Sequence, residues 1–347
     1  LSLELAHLSQ RLAQRFQKRL WTIDSHTAGE QTRLIVGGVG PLPGRTIKEK
    51  RDFLMERRDD LRRLLCTEPR SGSDLMAALV TEPETPGASF GLIFMDGRRY
   101  PYGCGTATIG AVKTLIEAGA IEAREPATRV VVDTPGGPME TTAFLEGGRV
   151  ASVALDFVPS FVQGQGESLE VPGLGRIQVD TVCVGGFFVM VSSDQIGLDL
   201  TPANGPRLVE LGMRLIDLAN EQLRVSHPLR EEVKTVDVVQ FYDTSGHARG
   251  RGLGAVVYGE SHLDRSPCGT GTAAKLTLLH RRGQIGLGQP FVNAGVLGST
   301  FEARLKAETD LSGVPAVVVE VRGSAQITGL HQFVVEPGDP FPQGFLI

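Results

Sequence analysis

CGTAT at Cys104–Thr108 recurs as CGTGT at Cys268–Thr272, in a chain of 347 residues that has only four cysteines. The match runs past the pentapeptide. CGTATIGAVKTLIEAG and CGTGTAAKLTLLHRRG share cysteine, glycine, both threonines, a leucine and the closing glycine without a gap. Two related half-domains, each presenting one thiol where a loop turns into a helix, account for the repeat.

The segments around the two motifs support a duplicated plan. In the first half, WTIDSHTAGEQTRLIVGG reads as strand, loop and strand, and IKEKRDFLMERRDDLRRLLCTEP as one charged helix. LMAALVTEP, ASFGLIFMDG and TRVVVDTPGG are strands, ASVALDFVPSFV closes the half, and VQGQGES is a Gly/Gln-rich link. In the second half, RIQVDTVCVGGFFVMVSS, VKTVDVVQFYD and LGAVVYGES are strands, PRLVELGMRLIDLANEQLRV is an amphipathic helix, and hairpin strands follow the second motif. The pattern is α+β: two pseudo-symmetric lobes with a cleft between them. The lobes are expected at 1–165 and 166–329, with 330–347 returning to the first.

Composition narrows the function. With 41% hydrophobic and 22% charged residues the chain reads as globular, and a net charge of −5 without a long basic run argues against a nucleic-acid partner. The longest apolar run, Val182–Val191, has about half the length of a membrane-spanning helix. The opening LSLELAHLSQRLAQRFQKRL reads as an amphipathic docking helix and not a signal peptide. Cys66, Cys104, Cys183 and Cys268 are scattered and form no CxxC pair, which points to reduced thiols in the cytoplasm. There is no P-loop, no HExxH and no GxSxG, and the histidines show no paired ligand spacing.

The chemistry therefore rests on the two thiol loops. A helix N-terminus stabilises anions, so it is expected to lower the thiol pKa and to offer backbone N–H groups to a carboxylate. Two such termini facing one cleft suit inversion at an α-carbon, where one thiolate removes a proton and the opposite thiol returns one. No cofactor is required. A redox pair, an inert structural duplicate and a zinc site built from Cys104, Cys268 and a histidine are the competing readings.

Four further stretches carry a family likeness: IDSHTAGEQTR at Ile23–Arg33, PLPGRTIKEKRDFLMERRDDLRRLLCTEPR, DRSPCGTGTAAK at Asp264–Lys275, and GSAQITGLHQFVVEPGDPFPQGF. Together they resemble the cofactor-independent proline racemases and hydroxyproline epimerases over nearly the whole chain. The resemblance implies a fold like that of diaminopimelate epimerase, each lobe a curved sheet or barrel around a central helix. It implies Cys104 and Cys268 as the acid/base thiols, and Asp264 as the partner of a substrate ring nitrogen. Gly105, Gly269 and Thr270 would hold the substrate carboxylate, and the assembly would be a homodimer acting on an imino acid. The family's first loop usually reads Cys-Gly-His-Gly, whereas Thr106 stands here in place of the histidine. His247, in GHARGRG, is a candidate cleft imidazole, set against the plainer reading of a solvated loop histidine. Relatives that dehydrate trans-3-hydroxy-L-proline typically have Thr at the second cysteine, so Cys268 favours a racemase or epimerase. A dehydratase and a non-catalytic imino-acid-binding homologue stand as alternatives.

Overall fold

The computed structural model describes residues 12, 15, 16, 18–72, 74–259 and 261–346. The expected N-terminal helix lies almost wholly outside the described residues, and Arg19 and Leu20 already belong to a strand. In chain order the first strands are β1 (Arg19–Thr27), β2 (Glu30–Gly37), β3 (Met76–Thr81), β4 (Phe90–Met95), β5 (Ala127–Thr134), β6 (Gly137–Glu146), β7 (Arg149–Asp156) and β8 (Phe161–Val171). They continue as β9 (Gly175–Val184), β10 (Gly186–Ser192), β11 (Val236–Asp243), β12 (Arg251–Tyr258), β13 (His262–Leu263), β14 (Phe291–Ala294), β15 (Thr300–Leu311), β16 (Val314–Gly323) and β17 (Ala325–Val334). Among the described residues the longer helices are α1 (Ile47–Arg57), α2 (Asp59–Cys66), α3 (Gly105–Glu117), α4 (Gly205–Gln222) and α5 (Gly269–Arg281).

The chain divides into two compact units. One takes the described residues up to Thr27, then Gln31–Ala151 and Ala325 onward; the other takes Ala28–Glu30 and Ser152–Ser324. The breaks at 151/152 and 324/325 differ from those the sequence suggested at 165/166 and 329/330. The reason is β-pairing: from Val153 onward β7 pairs antiparallel with β16. The VQGQGES stretch is no linker either. It runs inside β8, paired with β9, and its glycines sit at register shifts between Val162 and Gly164 and between Gly164 and Glu167.

In the first unit β1 pairs antiparallel with β17, β3 with β4, and β5 with β6, while β2–β3 and β4–β5 are parallel. Ile35, Ile47, Leu54, Leu61, Leu65 and Ile93 form a core between α1, α2 and the sheet. The charged segment expected as one helix is two. Thr46 caps α1 in a capping box with Glu49, and the helix stops at Arg58, whose φ of −139° leaves the helical range and starts α2. In the second unit β8 to β10 form an antiparallel run, β10–β11 and β12–β14 are parallel, and β14 to β16 are antiparallel. Leu208, Leu215, Ile216 and Ala219 of α4 pack on Val239, Phe241 and Val257.

Each unit also holds one helix with almost no exposed face, which marks it as central. Residues 106–112 of α3 and 271–279 of α5 are buried throughout. Gly, Ala and Thr dominate the first turns of both, so strands can approach closely. A Cβ on Gly110 would sit 2.9 Å from Ser25 Oγ, and one on Gly271 would sit 2.9 Å from Val256 Cγ2. Both helices have 13 residues, and each closes on a left-handed glycine, Gly119 (φ 74°) or Gly283 (φ 67°). The shared closing glycine of the two motifs is this helix stop.

Candidate active site

Cys104 is the N-cap of α3 and Cys268 the N-cap of α5. The loop-to-helix placement expected for both thiols holds, and each loop makes the same kind of internal contact. Cys104 Sγ lies 3.3 Å from Thr106 Oγ1, and Cys268 Sγ lies 3.4 Å from Thr270 Oγ1. Each cysteine carbonyl accepts the N–H four residues on, Thr108 at 3.0 Å and Thr272 at 2.8 Å. The first N–H groups of a helix have no partner within it. Gly105 and Thr106 in one loop, and Gly269 and Thr270 in the other, thus present donors beside a sulfur.

The settings differ in strain and burial. Cys104 has an extended backbone (φ −150°, ψ 110°), makes no side-chain capping bond, and is part-exposed. Thr27 of β1 braces this loop by donating to the Thr106 carbonyl at 2.8 Å. Cys268 has φ 58° and ψ 120°, a conformation costly for a side chain with a Cβ. Its sulfur accepts the Gly271 N–H at 3.3 Å, and only 7% of the residue is exposed.

A polar network holds Cys268 in that conformation. Its N–H donates to Ser266 Oγ at 3.0 Å, and Ser266 donates through N–H and hydroxyl to Asp264 Oδ1 at 2.8 and 2.7 Å. On the other side Asn293 Nδ2 donates to the Pro267 carbonyl at 3.1 Å and to Thr272 Oγ1 at 2.8 Å. Lys275 Nζ fixes the orientation of that amide by donating to Asn293 Oδ1 at 2.7 Å, with Leu253 O at 3.0 Å as its second acceptor. Asn293, Lys275 and Ser266 were not legible as site residues. Their signal is spatial: they meet the loop from β14, from the second turn of α5 and from the turn before it.

Electrostatics overturn one expectation. The Cys268 thiol is held well above the ordinary range, first by burial and then by the charge of Asp264. The helix terminus was expected to lower it, but desolvation outweighs that effect. Asp264 is not an exposed loop carboxylate: it is 5% exposed, and burial and Glu30 push it up to about 7. His247 is not the solvated loop histidine of the plainer reading. It sits half-buried in a short turn, stacked on Tyr242 (6.1 Å, 15°) and tilted against Phe291, and burial pulls it down to about 4. Cys66 and Cys183 are buried, each pushed up to about 12, as suits small core residues.

Among the described residues no cluster of His, Cys, Asp and Glu could hold a metal ion. The sequence model of the family described as proline racemase matches residues 22–346, a span that includes both thiol loops.

The chain belongs to the proline racemase family.

It is 39% identical to the proline racemase of Clostridioides difficile over 96% of this chain and 99% of that one. It is 37% identical to the 4-hydroxyproline 2-epimerase of Streptosporangium roseum, over 94% of this chain and 97% of that one. Among solved structures, a hydroxyproline epimerase from Agrobacterium vitis with bound trans-4-OH-L-proline matches with a TM-score of 0.87 at 31% identity. That match covers 96% of this chain and 97% of the other. Membership in this family accords with the diaminopimelate epimerase-like α+β class expected from the sequence.

Proposed function

We propose that this protein is an isomerase that inverts the α-carbon of proline or 4-hydroxyproline, with Cys104 and Cys268 as its acid/base pair. The observation that carries the reading is the matched pair of cysteine N-caps, each with a threonine hydroxyl beside the sulfur and helix-end N–H groups next to it. The family and the named activities of the relatives set the substrate class. No support for the dehydratase reading comes from these relatives.

In this mechanism one sulfur, as thiolate, takes the α-proton, and the other thiol delivers a proton to the opposite face. The substrate carboxylate is held by N–H groups of Gly105 and Thr106 and of Gly269 and Thr270. These donors are fixed before reaction and stabilise the charge that spreads onto the carboxylate as the Cα–H bond breaks. Asp264 pairs with the ring ammonium. Because Asp264 sits near 7, a cationic substrate favours its ionised form and binds with loss of a proton. Thr106 gives the first loop the same hydroxyl–sulfur contact that Thr270 gives the second.

The test is incubation with L-proline, trans-4-hydroxy-L-proline and trans-3-hydroxy-L-proline in D₂O, read by NMR at Cα and by chiral chromatography. Deuterium at Cα with inverted product is expected for at least one of the first two. Cys104→Ser and Cys268→Ser are each expected to abolish inversion, while either can retain exchange on one enantiomer. Full racemisation by both single variants would end the two-base reading. Binding without exchange would make the chain an imino-acid-binding homologue.

A further inference from the structure

Behind Asp264 lies a group of ionisable side chains that the proposed reaction leaves unused. Glu30, at the start of β2, has a side chain only 4% exposed. Its Oε2 accepts the Arg265 N–H at 2.9 Å, and its Oε1 lies 3.2 Å from His262 Nε2. The His262 ring, 11% exposed, packs against Tyr258 with ring centres 4.7 Å apart. Asp264 follows two residues later, its Oδ1 engaged by Ser266, whose hydroxyl holds the Cys268 N–H. Two carboxylates, one imidazole and one thiol thus share one buried region of the second unit.

Like charges in a buried site cannot all ionise without compensation. We infer that Glu30 and His262 are positioning residues that set the charge on Asp264, and so the pH above which a cationic imino acid is accepted. The inference rests on the function proposed above, in which Asp264 pairs with the ring nitrogen. The charged and titratable groups that act on Asp264 are Glu30, His262 and Cys268, and the charge of Arg265 acts on His262. Their effects on Asp264 oppose one another. Burial and then Glu30 raise its pKa, while the imidazolium of His262 lowers it. Burial also works against the charge on His262, but Glu30 and Asp264 outweigh it and hold that histidine above its ordinary value.

The opposition yields a signature that a merely structural role would not produce. Substrate capture needs ionised Asp264, so its pKa forms the acid limb of the kcat/KM profile. Removing the imidazolium in His262→Gln should move that limb to higher pH, and adding Glu30→Gln to that variant, where no imidazolium is left to discharge, should move it lower again, each by roughly one unit. Two shifts in the same direction, or no shift at either step, would overturn the inference. If the double variant fails to fold, the His262→Gln profile decides alone.

A second measurement needs no turnover. The His262 imidazole proton, identified in NMR by its loss in His262→Gln, should titrate at lower pH in Glu30→Gln and in Asp264→Asn. A protein that turns over no imino acid, yet shows these lowered midpoints, would refute the proposed function and keep the charge-setting group. Normal racemisation with unmoved midpoints would refute the group and keep the function.

Discussion

Cys104 and Cys268 share a motif but differ in what holds them. At Cys268 the left-handed φ of 58° stores strain that a glycine would release, whereas Cys104 at −150° stores none. Cys268→Gly should therefore be more stable than Cys268→Ala by about 1–3 kcal/mol in chemical denaturation. The same comparison at Cys104 should show only the N-cap preference, about 1 kcal/mol or less. Equal gaps at the two sites would argue against strain at Cys268. Burial also ranks their reactivity. With iodoacetamide near pH 8, Cys104 should be modified first and Cys268 more slowly, with Cys66 and Cys183 last, as read by peptide mass spectrometry. Faster labelling of Cys268 would contradict its desolvation. The repeated Cys-Gly-Thr was legible in sequence because capping is local chemistry. The burial of Asp264 and the raised thiol were not, because Glu30 and Asn293 reach the loop from remote strands.

At the level of elements, the twin helices were readable almost to the residue. Their starts carry cysteine caps and their ends carry Gly119 and Gly283, and both signals lie within the repeated sixteen residues. The break at Arg58 was hidden because charged helix formers run across it, and VQGQGES looked like a link because bulged strands tolerate glycine. The brace on the α5 loop is equally an element-level feature. Asn293→Ala would leave Lys275 without its 2.7 Å partner and remove the donor to Pro267 and Thr272. Stability should fall by about 2–4 kcal/mol, because buried polar groups lose their partners. A loss near zero in urea unfolding would show that the loop is held without the brace. Gly269→Ala tests the start of the same helix, where a Cβ would sit 2.7 Å from Phe157 Cζ. It should cost about 1–3 kcal/mol by overpacking, measured in the same way.

For the molecule as a whole, pH dependence of stability reports its buried charges. Lys275 is wholly enclosed, and burial pulls it down to about 7, with Asp243 acting in the opposite sense. Between about 7 and 10 the unfolded chain keeps a proton on this lysine that the native state releases, so stability rises with pH there. Asp264 has the opposite sign in a lower window. Native Asp264 keeps its proton up to about 7, so stability falls as pH rises from about 4 to about 7. Above about 8.5 unfolded thiols ionise while the buried native ones resist, which opposes the lysine effect. The urea midpoint should thus climb from pH 7 to about 8.5, and Lys275→Met should flatten that climb. An unchanged slope in the variant would place the titration elsewhere.

The pairing of β1 with β17 has a consequence in time. Arg19 finds Val334 and Thr27 finds Ala325, so the first strand waits for a partner synthesised roughly 300 residues later. The same unit is closed by Arg70, which ion-pairs with Asp339, and by Glu68, which bridges to Phe345. The second unit is nearly contiguous between Ser152 and Ser324. On the ribosome the second unit can therefore mature while β1 still presents an open edge, the condition under which a nascent strand most needs a chaperone.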